Sequence, residues 1–297
     1  MDDLVLVALA GFVASLVDGA LGMGFGPTSS TILLSAGITP AAASTTVNLA
    51  KVATGVVAGA SHWRFGNIDR PLVIRLALPG ALGALIGTTV LVFVDGDDLR
   101  PVLAALLLLV GLRILLRFSR PLPLRPDTDA GVPEGQLPPF DARGVEVAAA
   151  AGGVTNGMVG AWGPVVTPFL LHRGLPPRFA IGSVNTAEVA VALVASVSLI
   201  TSLGGEGLEL GVVVAMLLGG MLAAPIAAYV VRFVPARGLG LAVAGLLLFT
   251  QARELATWFE LGPARWLAYA VIAVGLAVAA LRPRLAAGKG SLSAQRR

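Results

Sequence analysis

Apolar residues fill this chain in runs of about twenty, and the interruptions between runs organise it. Six unbroken stretches fit helices, at 40–61, 71–94, 99–116, 177–202, 208–231 and 237–255, and a further one lies at 264–281. Each is near the ~20 residues that carry a helix across a hydrocarbon core. Two stretches behave differently. Residues 4–36 and 145–173 are too long for one comfortable span and too short for two. Glycines and a Gly-Pro step cut both, in "GALGMGFGPTSST" and in "NGMVGAWGPVVTP".

The two interruptions belong to an internal repeat. Shifting the chain by 137 positions pairs Gly26 with Gly163, Pro27 with Pro164, Gly37 with Gly174, Pro40 with Pro177 and Asn48 with Asn185. At an offset of 140 the match resumes, pairing Phe93 with Phe233 and Arg113 with Arg253. The repeats are therefore 1–120 and 141–258 within one transmembrane domain, 1–297. A linker rich in Pro, Gly and charge occupies 121–140. An extra apolar segment with a basic tail, 259–297, follows the second repeat.

Composition places the chain in a bilayer. Charged residues make up 13% of it and mean hydropathy is +0.86, whereas a soluble domain carries roughly 25% charge. With no cysteine, disulfides, thiolate metal sites and cysteine nucleophiles are excluded. The acidic start "MDDLVLVALAGF" lacks the basic n-region of a removable signal peptide. Net charge is +4, and in a membrane protein basic residues report topology before any nucleic-acid partner.

Charge also decides how the broken stretches run. If each returns to the face it left, 17 Lys and Arg gather on one side and only Arg100, Arg253 and Arg265 on the other, with Lys51 between. If each crosses once, the bias vanishes. The positive-inside rule selects hairpins. Each half then crosses three times, an odd number, so the second half is inverted relative to the first. The expected fold is an all-α polytopic membrane protein with an inverted-topology repeat. Each half is a re-entrant broken-helix hairpin plus three transmembrane helices, and an extra C-terminal transmembrane helix follows. The N-terminus is expected outside and the C-terminus in the cytoplasm. Secondary transporters use this architecture and bind substrate at discontinuous helices near the midplane.

The broken helices suit an anion. A leg from Pro27 to Ala36 is ~15 Å long, about half the hydrocarbon core, so its N-terminus lies near mid-membrane. Free backbone N–H groups and the positive dipole end point there, and Pro27 fits a first-turn position that needs no N–H. A second such end, at Pro164, is expected at the same depth. Candidate substrate contacts are Gly26, Thr28, Ser29 and Ser30 on the first leg and Gly163, Val165 and Thr167 on the second. Asn48 and Lys51 lie one turn apart on the following helix, and Asn185 and Glu188 repeat that spacing. A charge at the bilayer centre costs ~2.5 to 3.5 kcal/mol on insertion scales, so Lys51 and Glu188 must face a protein-lined site. They serve there either as anion ligand and proton carrier or as an ion pair joining the halves. Asp18 is a further proton-coupling candidate, or a helix cap. His62, Trp63, Arg64 and His172 read as interfacial anchors.

"GITPAAASTTVNLAK", "SHWRFGNID" and "GSVNTAE" together resemble the TauE/SafE family of membrane transporters, the sulfite exporter family, over nearly the whole chain. The resemblance implies transport of sulfite, organosulfonates or related sulfur-containing anions across a bacterial plasma membrane. The expected partners are a small anion, protons and lipid, with no cofactor, no metal and no nucleic acid. No Walker motif is present for direct ATP use, and no H-E-x-x-H or flanked nucleophile points to an intramembrane hydrolase. An anion channel and a non-transporting scaffold are the alternative readings.

Overall fold

The computed structural model describes residues 2–21, 24–119, 140–203, 210–230 and 236–294. Every regular element among them is helical. The first half contains α1 (Asp2–Leu21), α2 (Phe25–Ser35), α3 (Pro40–Arg64), α4 (Arg70–Phe93) and α5 (Gly96–Ser119). The second contains α6 (Val145–Val159), α7 (Gly163–His172), α8 (Pro177–Ser202), α9 (Leu210–Val230) and α10 (Ala236–Trp258). A 3₁₀ turn, Gly262–Ala264, leads into α11 (Arg265–Ala294). Both awkward stretches thus break into a longer and a shorter helix.

The short helices end alike. After α2, Gly37 adopts φ 88° and the Ile38 N–H reaches back to Leu33 O at 3.1 Å. After α7, Gly174 adopts φ 89° and the Leu175 N–H reaches Leu170 O at 3.1 Å. Both are Schellman closures, which need a left-handed residue that glycine supplies without strain. A further tie closes the second broken stretch on itself. The Asp141 N–H donates to Arg173 O at 3.1 Å, and the Arg173 guanidinium pairs with the Asp141 carboxylate. The segment leading into α6 therefore touches the residue after α7.

Packing between the halves is reciprocal. α1 packs on α9 and α6 packs on α4, while α3 faces α8 and α5 faces α10. Glycine permits the α4–α6 contact: a Cβ on Gly83 would lie 2.1 Å from Ala150 O, and one on Gly153 would lie 2.0 Å from Gly80 O. Small residues let helices approach this closely in membranes. One apolar core gathers Val7, Leu33, Val47 and Met216 from α1, α2, α3 and α9. Another gathers Leu76, Val145, Leu170 and Val184 from α4, α6, α7 and α8. Each core thus surrounds one short helix.

Among the described residues, four segments are long and apolar enough to cross a membrane: Arg70–Phe93, Gly96–Ser119, Arg178–Ser202 and Gly262–Leu281. Seven were expected from the sequence. For one of the others, α3, the cause is clear, since at 25 residues it has the length. Its Ser44, Thr45, Thr46, Asn48 and Lys51 are buried in the protein, so they lower its hydropathy without meeting lipid. Leu78, Leu82 and Ile86 of α4 and Val271, Val274 and Val278 of α11 form the exposed apolar exterior instead.

Candidate functional site

The N-termini of α2 and α7 begin at unusual breaks. α2 follows Gly24 and α7 follows Trp162, and neither has a side-chain cap. Trp162 is wholly buried and donates its indole N–H to Val184 O at 3.1 Å, anchoring the second break to α8. Gly160, with φ 67°, closes α6 by donating its N–H to Asn156 O at 2.9 Å. The two breaks meet here. A Cβ on Gly26 would lie 1.8 Å from Gly160 O, so only glycine admits this contact.

A polar network spans the junction. Lys51, 7% exposed, donates to Asn156 Oδ1 at 3.0 Å and to Gly160 O at 2.5 Å, and its third partner is the Glu188 carboxylate. All three ammonium protons are thereby used. Asn156 donates through Nδ2 to Asn48 Oδ1 at 2.7 Å. Asn48 in turn donates to Ser44 O at 2.9 Å and to Asn156 O at 3.3 Å. Because an ammonium only donates, Lys51 fixes the orientation of the Asn156 amide and, through it, that of Asn48. The Ser30 hydroxyl donates to Val159 O at 2.8 Å and that of Ser44 to Gly157 O at 2.6 Å, stitching α2 and α3 to the end of α6.

Beside this network lies a cavity of about 80 Å³. Gly26 and Pro27 open α2 on one side of it and Gly163 and Pro164 open α7 on another, with Lys51 and Glu188 also in its wall. Positive helix ends, a buried ammonium and a carboxylate thus surround one small space. Nearby, Thr28 Oγ1, Ser29 Oγ and Thr167 Oγ1 are buried with no hydrogen-bond partner. Buried hydroxyls normally find one. Both short helices carry such orphans near their N-termini.

Comparison with known proteins assigns the family. Residues 7–253 match the family model described as "Sulfite exporter TauE/SafE". The chain belongs to the TauE/SafE family. It is 38% identical over 265 residues to the "Probable membrane transporter protein YtnM" of Bacillus subtilis (strain 168), an alignment covering 86% of this chain and 83% of that protein. No solved structure matches. This TauE/SafE chain is thus a membrane transporter with an all-helical fold.

The TauE/SafE chain gathers its candidate residues unevenly. Gly26, Lys51, Gly163, Asn185 and Glu188 border the cavity. Thr28, Ser29, Ser30, Asn48, Val165 and Thr167 do not line it: Ser30 and Asn48 are committed to the stitching network, Thr28, Ser29 and Thr167 carry the orphan hydroxyls, and Val165 follows Pro164 on α7. The side chain of Asp18 falls outside the described residues. Sequence reasoning missed Asn156, whose repeat counterpart at the 137 offset is Gly19 and so gave no paired motif. The signal available was a lone amide in the apolar run "AAAAGGVTNGMVGAW". Outside the helices, the Arg143 backbone N–H and guanidinium, and then Arg173, hold the Asp141 carboxyl below the usual carboxylate range.

Proposed function

We propose that this transporter carries a small sulfur-containing oxyanion, such as sulfite or an organosulfonate, through the cavity at the α2–α7 junction, and that Glu188 exchanges a proton during the cycle. The observation that carries this reading is the convergence of two helix N-termini that lack side-chain caps, and of Lys51, on one small cavity. Convergent N–H groups and a cation recognise oxyanions.

The proton enters through the donor count. Lys51 already gives its protons to Asn156, Gly160 and Glu188, so an anion must displace one acceptor to reach it. Glu188 is the acceptor an anion repels, and the only one of the three that a proton neutralises. Protonated, it releases a Lys51 donor and removes negative charge from the cavity wall. Anion and proton then load together, which couples anion movement to the proton gradient. The orphan hydroxyls of Thr28, Ser29 and Thr167 supply further donors once the site adjusts around its cargo.

An inverted repeat gives this site two faces to serve alternately. Two features support the repeat: the matching Schellman closures at Gly37 and Gly174, and the reciprocal pairing of α1 with α9 and α6 with α4. In the second half, the tie from Asp141 to Arg173 fits a re-entrant hairpin whose ends share a face. The proposed units remain 1–120 and 141–258, joined by 121–140 and followed by 259–297. The 17-to-3 division of basic residues puts 119–142 in the cytoplasm of a bacterium and the N-terminus outside its plasma membrane. The partners are the anion, protons and lipid.

Reconstitution in proteoliposomes tests the reading. Radiolabelled sulfite should enter saturably and faster when the opposite compartment is more alkaline, and Glu188→Gln should remove that pH dependence. Non-saturating flux indifferent to the proton gradient would replace a transporter with a channel.

A further inference from the structure

We propose that the cavity at the other end of α2 is a second oxyanion site, which loads the junction along one face of α2; the proposal rests on the anion-transporter reading above. This cavity encloses about 240 Å³. Its polar lining is Ser35 at the end of α2, Arg100 near the start of α5, and Thr250, Gln251, Arg253 and Glu254 towards the end of α10.

The charge distribution singles it out. The face assigned to the outside carries just Arg100, Arg253 and Arg265 among the basic residues, and two of those three meet in this one cavity. Glu254 offsets one charge. Asp97 lies 3.4 Å from Arg100 Nε, but that pair is 56% and 77% exposed, so water screens it. It also occupies one of five guanidinium N–H donors. Two guanidinium groups against one lining carboxylate favour an anion, and their planar forks match the oxygens of a sulfite or sulfonate group.

A polar stripe joins this cavity to the junction. Gln251, nearly buried, donates its Nε2 to Thr31 Oγ1 at 3.2 Å. Thr28, Thr31 and Ser35 share one face of α2, spaced by three and four residues. Thr28, with its unpartnered hydroxyl, follows Pro27 of the junction cavity, and Ser35 borders the second cavity. From 27 to 35 the helix rises ~12 Å. The corresponding positions on α7 are Val165, Pro168 and His172, which carry no hydroxyl. The hydroxyl stripe is thus confined to the α2 side, and the Arg100–Arg253 cavity is its mouth.

Flux of ³⁵S-sulfite into proteoliposomes holding the full chain, measured against NaCl concentration, tests the proposal. The exposed positions of Arg100 and Arg253 leave folding intact in R100Q, R253Q and the double variant, which thermal melts verify. For the double variant, kcat/KM should fall about tenfold at low salt and converge on wild type at high salt, with kcat unchanged, because electrostatic capture is screened beyond ~10 Å at 0.1 M. R253K should keep most of the low-salt rate. An unchanged kcat/KM at low salt would overturn the loading site, as would a loss independent of salt or one confined to kcat. A wild-type protein that moves no sulfite would instead remove the anion-transporter reading beneath it.

Discussion

Exchanging Lys51 and Glu188 separates an ion pair from a directed site. If opposite charge alone mattered, Lys51→Glu combined with Glu188→Lys would restore the protein. The geometry predicts failure. All three partners of Lys51 are acceptors, and the swap leaves two of them, Asn156 Oδ1 and Gly160 O, unchanged. A carboxylate at position 51 turns its oxygens on both. The carbonyl cannot adapt. An amide flip of Asn156 would set its oxygen against Asn48 Oδ1, and Asn48 is itself fixed by donation to Ser44 O. Each lost hydrogen bond from a charged group is worth roughly 1.5 to 3 kcal/mol, so the swap should remain ~3 to 6 kcal/mol less stable than wild type. A protonated Glu at 51 would repair one contact but abandon the pair. The single variants should lose a comparable amount, since breaking a buried pair costs ~3 to 5 kcal/mol. Denaturant titration of the purified protein in detergent, followed by loss of helical circular dichroism, measures this. A swapped protein within ~1 kcal/mol of wild type would refute the directed network, since that is the most a neutral exchange of an exposed pair involves.

Other outcomes follow from the same geometry. Thr28→Val and Ser29→Ala remove hydroxyls that have no partner, so both variants should melt no lower than wild type without anion, yet lose the rise in melting temperature that sulfite gives; a wild-type-sized rise would exclude these hydroxyls from binding. Gly26→Ala should prevent proper assembly of the junction, since its Cβ would meet Gly160 O at 1.8 Å, and folded, active Gly26→Ala protein would contradict the contact. The Asp141 carboxyl titrates below its ordinary value because Arg143 and Arg173 bind its charged form. Its stabilisation is therefore complete above the ordinary carboxylate pKa and lost as pH falls through the lowered one. Asp141→Asn should accordingly flatten the acid limb of a melting-temperature profile while leaving the neutral-to-alkaline limb parallel to wild type. Because the chain has no cysteine, Asp98→Cys and Phe65→Cys, both at exposed positions, report topology cleanly: an impermeant thiol reagent should label the first in whole cells and spare the second.

Much of this protein was legible along the chain because its signals are local or periodic. Span-length apolar runs located the helices, and 177–202 coincides with α8 to the residue. The repeated Gly-Pro steps located both breaks, and Gly37 and Gly174 matched in sequence because the same left-handed closure is needed twice. That Lys51 and Glu188 turn to protein and not to lipid was legible from their central place in apolar runs, since an unpaired charge cannot face lipid, and the two do pair. What no local pattern carries is which acceptors saturate that lysine. Asn156 and the Gly160 carbonyl reach it from 105 and 109 residues away, across the contact between α3 and the end of α6. Nor does sequence spacing reveal that Ser30 is spent on Val159 O while Thr28, two residues earlier, keeps an unpartnered hydroxyl. The sequence by itself singled out two broken helix ends and two charges inside apolar runs as belonging to one protein-lined place. Tertiary packing alone decided how they are wired, because hydrogen-bond partners across a helix junction depend on distances of a few tenths of an ångström that only the assembled backbone sets.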